Sequence, residues 1–132
     1  MNKHLMLASF LALGACAEWD AVEFEDEGRV CLRSEDAQLE IQVIAPDCPG
    51  DPSCSREVEA TCNAEVVGSE IVVTSEHRWE KKTKGPGECV SICAELYADC
   101  DPLDVAPGTY VLRHGEHTEM VTLPVENTCA GL

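Results

Sequence analysis

The sequence predicts an all-β fold: a small, disulfide-stapled, antiparallel β-sandwich of about seven short strands. Apolar and polar residues alternate with a period of two in several stretches, as they do in strands that have one face in water. The chain also has nine cysteines in 132 residues. A chain of this length forms one small domain with a modest hydrophobic core, so cross-links would add useful stability.

The first fifteen residues have the composition of an export signal. Lys3 lies in a weakly basic start, and residues 5–13 form an apolar run that is shorter than the roughly 20 residues of a transmembrane helix. The Leu-Gly-Ala-Cys stretch at residues 13–16 resembles the lipobox of bacterial prolipoproteins. That resemblance implies cleavage before Cys16, acylation of its thiol, and anchoring of the protein in the envelope. Ala17 after the cysteine implies sorting to the outer membrane.

The alternative is an ordinary signal-peptidase site, in which cleavage after Ala17 releases a soluble, secreted protein. Either cut removes or occupies Cys16 and leaves eight cysteines to pair. Behind an export signal they are predicted to form disulfides in an oxidising compartment. The eight are Cys31, Cys48, Cys54, Cys62, Cys89, Cys93, Cys100 and Cys129. The sequence does not determine their pairing, although Cys48 and Cys54 flank a Pro/Gly/Asp loop and are predicted to form a local bridge.

Residues 16–27 are predicted to be the lipidated cysteine and an acidic tether, ahead of a disulfide-rich β domain over residues 28–132. Six of the ten residues from Glu18 to Glu27 are acidic. Because like charges repel, the segment is expected to be extended in solvent. In an alternative interpretation it docks on a partner through Trp19 and Phe24.

Strands near residues 29–33 and 39–43 precede the clearest hairpin of the domain. Alternation over residues 57–66 is followed by Gly68-Ser69, which predicts a two-residue turn and therefore a register. That register sets Val66 opposite Ile71, Ala64 opposite Val73, Cys62 opposite Ser75, and Glu59 opposite Arg78.

A second hairpin covers residues 110–123 and turns at Gly115-Glu116. Its register sets Tyr110 opposite Val121 and Leu112 opposite Glu119. Residues 105–110, Val-Ala-Pro-Gly-Thr-Tyr, resemble the loop-to-strand corner of immunoglobulin-like sandwiches. The resemblance implies that the Tyr110 hydroxyl ties down the preceding loop.

Residues 89–96 are the ambiguous segment of the chain. Their alternation favours a strand, yet Val90, Cys93, Ala94 and Tyr97 would also line one side of a helix. The strand is the prediction.

No residue is predicted to be catalytic, and no metal or other cofactor is expected. The alternatives are a metal bound by His114 and His117, with Glu116 or Glu119 as a third ligand, and a zinc ion held by Cys89, Cys93 and Cys100. Candidate serines lie in no recognisable nucleophile motif. The acidic residues from Asp99 to Asp104 lack the pattern of a calcium loop and are predicted to form a turn.

The net charge of −16 disfavours nucleic acid as a partner. The one basic patch is predicted to lie at a strand end and loop, as a candidate contact site for an acidic envelope protein or a glycan. It consists of Arg78, Trp79, Lys81, Lys82 and Lys84.

Together these features predict a non-enzymatic envelope lipoprotein with a binding or structural role and a lipid anchor as its link to the membrane. Two alternatives stay open: a small metal-dependent or hydrolytic enzyme, and an inhibitor of an exported protease that displays a stapled loop such as residues 48–54.

Overall fold

The computed structural model describes residues 16–130 as two β-sheets, and no helix occurs in that range. The predicted signal peptide, residues 1–15, lies outside the described residues. Between residues 16 and 130, no helix has the length and hydropathy to cross a membrane. The strands are β1 (Glu18–Glu25), β2 (Arg29–Glu35), β3 (Gln38–Ile44), β4 (Ser55–Val67), β5 (Glu70–Lys84), β6 (Tyr97–Asp99), β7 (Leu103–Asp104), β8 (Gly108–His114), β9 (His117–Leu123) and β10 (Thr128–Ala130).

Each sheet has five strands, which confirms the predicted sandwich architecture. The first sheet has the order β1-β5-β8-β9, with β4 also on β5; the second has the order β10-β2-β3-β6, with β7 also on β3. The long strand β5 pairs with β4 along one edge and with both β8 and β1 along the other. The β5–β8 pair is parallel, whereas the other pairs of the described strands are antiparallel.

The β4–β5 hairpin has the register that the Gly68-Ser69 turn predicts, and all four expected pairs are present. Ala60, Cys62 and Ala64 face the core as expected. Val58 does not, because a bulge between Arg56 and Glu59 interrupts the alternation. At the other end of the strand, Val66 is also exposed, next to the turn.

The β8–β9 hairpin also has its predicted register. Gly115 adopts the positive φ of 58° that the turn requires. The Tyr110 hydroxyl donates a hydrogen bond of 2.7 Å to the carbonyl oxygen of Ala106. The expected tyrosine corner is therefore confirmed.

The hydrophobic core lies between the two sheets and consists mainly of valine, leucine and isoleucine. Its largest fully buried apolar side chains are Val30, Leu32, Leu39, Val43, Ile71, Val73 and Leu112. They come from alternate positions of β2, β3, β5 and β8, as the period-two pattern requires.

All eight predicted cysteines form disulfides. The pairs are Cys31–Cys129, Cys48–Cys93, Cys54–Cys89 and Cys62–Cys100. The predicted Cys48–Cys54 bridge is wrong, because β5 returns the chain to the start of β4: the Lys82 amide donates to the Cys54 carbonyl at 2.9 Å. The segment after β5 therefore lies beside the loop before β4, and it supplies Cys93 and Cys89 as the partners of Cys48 and Cys54.

Residues 18–25 differ from the predicted tether, because they form β1 along the second half of β5. The register sets Glu18 opposite Lys84, Asp20 opposite Lys81, and Glu23 opposite Arg78. These opposite charges offset the repulsion within the acidic segment, which the segment's own sequence could not indicate.

The predicted strand over residues 89–96 is wrong, and a helix is absent there too. The segment is irregular, since disulfides at Cys89 and Cys93 attach it to the loop before β4. Regular pairing begins only at Tyr97, which lies opposite Ile44 of β3.

Candidate functional site

Cys16 is the free cysteine among the described residues, and its side chain is exposed. Only Ala17 separates it from the first residue of β1. Ala17 lies against Gly85: a β-carbon built on Gly85 would come within 2.8 Å of the Ala17 α-carbon, and Gly85 has a φ of 128°. The chain that follows Cys16 is therefore held against the end of β5.

The same end of the first sheet carries two stapled segments, residues 46–54 and 85–96, which we call the stapled end. Two disulfides join the segments. The carboxylate of Asp51 also links them, since its Oδ1 accepts from the Ser53 amide at 2.9 Å and its Oδ2 from the Val90 amide at 3.1 Å. These backbone hydrogen bonds lower the pKa of Asp51, because they favour the charged form.

Two large apolar side chains of the stapled end face solvent. Val90 is 63% exposed and Ile92 is 50% exposed. The amide of Ile92 donates to the carbonyl of Val90, and the carbonyl of Ile92 lies against Gly50. These contacts, together with the neighbouring disulfides, hold an apolar surface in a defined shape.

The basic patch lies within β5, between the acidic strand β1 and the edge strand β4. Arg78 Nε donates to Glu59 Oε2 at 2.7 Å, and Lys84 Nζ lies 3.5 Å from Glu18 Oε2. The ammonium of Lys82 donates to the Pro86 carbonyl, and Lys81 lies opposite Asp20 by register. Acidic side chains of the same chain thus already lie opposite much of the basic patch.

Trp79 is not a surface contact residue, which corrects the prediction for this position. It is 2% exposed, and its ring centroid lies 5.7 Å from that of Phe24. Alternation along β5 turns Trp79 inward, while Arg78 and Lys81 stay on the outer face or edge. In the N-terminal strand, Trp19 lies beneath the Arg56 guanidinium carbon at 4.2 Å, a cation–π arrangement.

A buried polar network that the sequence analysis missed crosses the middle of the sandwich. Ser75 Oγ and His114 Nε2 are 2.8 Å apart, and His77 Nε2 donates to the Val43 carbonyl of the opposite sheet at 3.1 Å. Asp26 Oδ1 accepts from the Ser75 amide at 2.8 Å. The signal that could have found the network is the predicted register, which sets Ser75 opposite the inward-facing Cys62.

Burial lowers the pKa of both histidines, because desolvation disfavours the imidazolium. For His114 the negative charge of Asp26 acts in the opposite direction, whereas His77 and His117 add to the decrease. His77 Nδ1 is buried and has no hydrogen-bond partner among the described residues. Both rings are therefore neutral structural groups near neutral pH.

The Ser75–His114 pair is unsuited to nucleophilic catalysis, although it has the residue types of a hydrolase site. Ser75 is 6% exposed and His114 is 2% exposed, so both side chains are largely withdrawn from solvent. Asp26 bonds to the Ser75 backbone and does not orient the imidazole.

The structure does not assemble either of the alternative metal sites. His114 turns into the core, while His117 stays on the surface beside Glu119, with 3.4 Å between Nε2 and Oε2. Cys89, Cys93 and Cys100 are all in disulfides. Within residues 16–130, no three histidine, cysteine or acidic side chains are grouped to hold a metal ion.

A depression of about 450 Å³ lies on the outer face of the second sheet. Its polar groups bond to one another: Arg33 Nε donates to Glu40 Oε2 at 2.8 Å, and Gln42 Nε2 to Asp99 Oδ1 at 2.7 Å. A second depression, of about 440 Å³, lies between the β1–β2 and β8–β9 turns and is lined mainly by acidic side chains. In the first depression these bonds occupy polar groups that could otherwise fix a small ligand.

No protein-family model, curated protein or solved structure is significantly similar to this chain.

Proposed function

We propose that this chain is an exported, lipid-anchored β-sandwich of the bacterial envelope, with a binding or structural role rather than a catalytic one. The anchor is an acylated Cys16, as the resemblance of residues 13–16 to a lipobox implies. The domain that follows begins at β1, so it lies directly beside its anchor.

One observation carries the proposal: the structure separates Cys16 from the other eight cysteines. Those eight are all consumed in four disulfides, whereas the Cys16 thiol is free and exposed ahead of the first strand. Disulfides persist in oxidising compartments, so the bridges support export. A single accessible thiol directly after an apolar run is the arrangement that acylation requires.

The burial of the Ser75–His114 pair, and the bond of Asp26 to the Ser75 backbone instead of the imidazole, support a role without catalysis. The inhibitor alternative has less support, although two disulfides do hold residues 48–54. A protease-binding loop must project into the protease's cleft, whereas only Pro52 and Ser53 of this loop are exposed and Pro49, Gly50 and Asp51 are half-buried.

Intact mass measurement of the native protein, with and without reductant, tests the proposal. We expect a chain that begins at Cys16 and carries acyl chains, and that gains about 8 Da on reduction, two hydrogens for each of four bridges. A Cys16→Ser variant should lose the acyl mass and keep the bridges. An uncut chain with free thiols would overturn the proposal, and a chain that begins after Ala17 would establish the secreted alternative instead.

A further inference from the structure

We infer that the stapled end is a membrane-contacting surface, in which Val90 and Ile92 insert among the headgroups of a zwitterionic bilayer. The inference rests on the proposed function, because it takes Cys16 as the point of anchoring. In this orientation the stapled end meets the lipid and the Gly68 turn faces away from it.

The anchor lies a short distance from the folded domain. Only Ala17 lies between Cys16 and Glu18, so the α-carbons of residues 16 and 18 are at most about 7 Å apart. β1 is paired with β5 along its length, and Ala17 packs against Gly85. An anchor at Cys16 therefore holds this end of β5 close to the membrane.

The stapled end lies at the same end of the sheet as the anchor. Gly85, which contacts Ala17, begins one stapled segment, and Cys54, which ends the other, accepts a hydrogen bond from Lys82. The opposite end of the same hairpin is the Gly68 turn. Ser55 and Val67 are the two ends of the 13-residue strand β4, so the two ends are about 40 Å apart.

The side chains of the stapled end have the chemistry of a surface that contacts lipid. Val90 and Ile92 are exposed apolar groups whose backbone is already held by two disulfides and by Asp51, so docking them on lipid requires little further ordering. Lys81, Lys82 and Lys84 have long aliphatic stems at the same end, which suits the boundary between lipid and water. The net charge of −16 disfavours anionic lipid, so the bilayer that fits is zwitterionic.

A partition experiment with phosphatidylcholine vesicles tests the inference. The chain from Cys16 onward receives one synthetic myristoyl chain on the Cys16 thiol, because a single chain binds membranes only marginally and so reveals a contribution from the domain. The test variant is Val90→Asp with Ile92→Asp. The matched control is Val66→Asp with Val67→Asp, which places the same charges on exposed valines at the far end.

We expect the stapled-end variant to lower the partition coefficient at least about tenfold, equivalent to about 1.4 kcal/mol, and the far-end control to change it less than twofold. Replacing part of the phosphatidylcholine with phosphatidylglycerol should weaken binding of the unsubstituted protein. Equal losses in the two variants, or no loss in either, would overturn the inference.

Hydrogen exchange of the unsubstituted protein tests the inference without a mutation. Amides of residues 85–96 should exchange more slowly when the myristoylated protein is on vesicles than when it is free, whereas amides of residues 66–69 should not change. The opposite pattern, or slowing at both ends alike, would contradict the proposed orientation. Because the acyl chain is attached chemically, both results are independent of whether Cys16 is acylated in the cell.

Discussion

Removing the Cys31–Cys129 disulfide is expected to lower the free energy of unfolding more than removing the Cys48–Cys93 disulfide. Each bridge stabilises the domain by restricting the unfolded chain, and the effect increases with the length of the loop that the bridge closes. The two bridges span 98 and 45 residues in sequence. The other disulfides shorten both loops. The effective loop length of each bridge is therefore the shortest covalent path between its two cysteines in the unfolded chain.

For Cys31–Cys129, that path passes through the Cys48–Cys93 bridge. It has 17 residues on one side and 36 on the other, about 53 in all, and corresponds to a loss of about 4 kcal/mol. For Cys48–Cys93, the path passes through Cys54–Cys89 and has only about 10 residues, which corresponds to about 2.7 kcal/mol. The expected difference is therefore about 1.5 kcal/mol. Loss of the buried Cys31 sulfur should further destabilise the variant that lacks Cys31 and Cys129, which increases this difference.

The assay is equilibrium urea unfolding of the two double-alanine variants, followed by fluorescence of the buried Trp79. Mass measurement should first show that each variant keeps three bridges. If the variant that lacks Cys48 and Cys93 proves as unstable as the one that lacks Cys31 and Cys129, or less stable, the loop-length reasoning fails for this domain.

Three further predictions concern the buried histidines, the tyrosine corner and the turns. Burial lowers the pKa of His77 and His114. Below the ordinary histidine pKa of about 6.5, the unfolded chain therefore binds more protons than the folded protein, so the free energy of unfolding should fall as pH decreases. His77→Gln should flatten this dependence in urea titrations at several pH values, and an unchanged slope would exclude His77 as a source. Tyr110→Phe removes one hydrogen bond to backbone and should cost about 1 kcal/mol by the same assay; a neutral effect would show that the corner adds no stability. Gly115→Ala should lower the melting temperature more than Gly68→Ala. Both glycines have a positive φ, but only at Gly115 would the new β-carbon contact backbone, 2.5 Å from the Asp26 carbonyl oxygen. Equal decreases in melting temperature would contradict this.

The sequence by itself determined the features that depend on neighbours along the chain. Alternation and the Gly68-Ser69 turn predicted the β4–β5 register correctly. The sequence of residues 105–110 predicted the hydrogen bond from Tyr110 to the preceding loop. In each case the interacting residues are joined by a short connection, so local geometry limits the pairing to one arrangement.

Only the tertiary structure decided which distant segments meet. The acidic residues 18–25 look like a solvated tether until β5 supplies cations opposite them, and residues 89–96 alternate like a strand although two disulfides hold them in an irregular path. The pairing of Cys48 with Cys93 and the bond from His77 to Val43 likewise join residues that are far apart in the chain. Such contacts depend on how the two sheets stack and how β5 returns to the start of β4, and a side chain's own neighbours in sequence contain no signal for either.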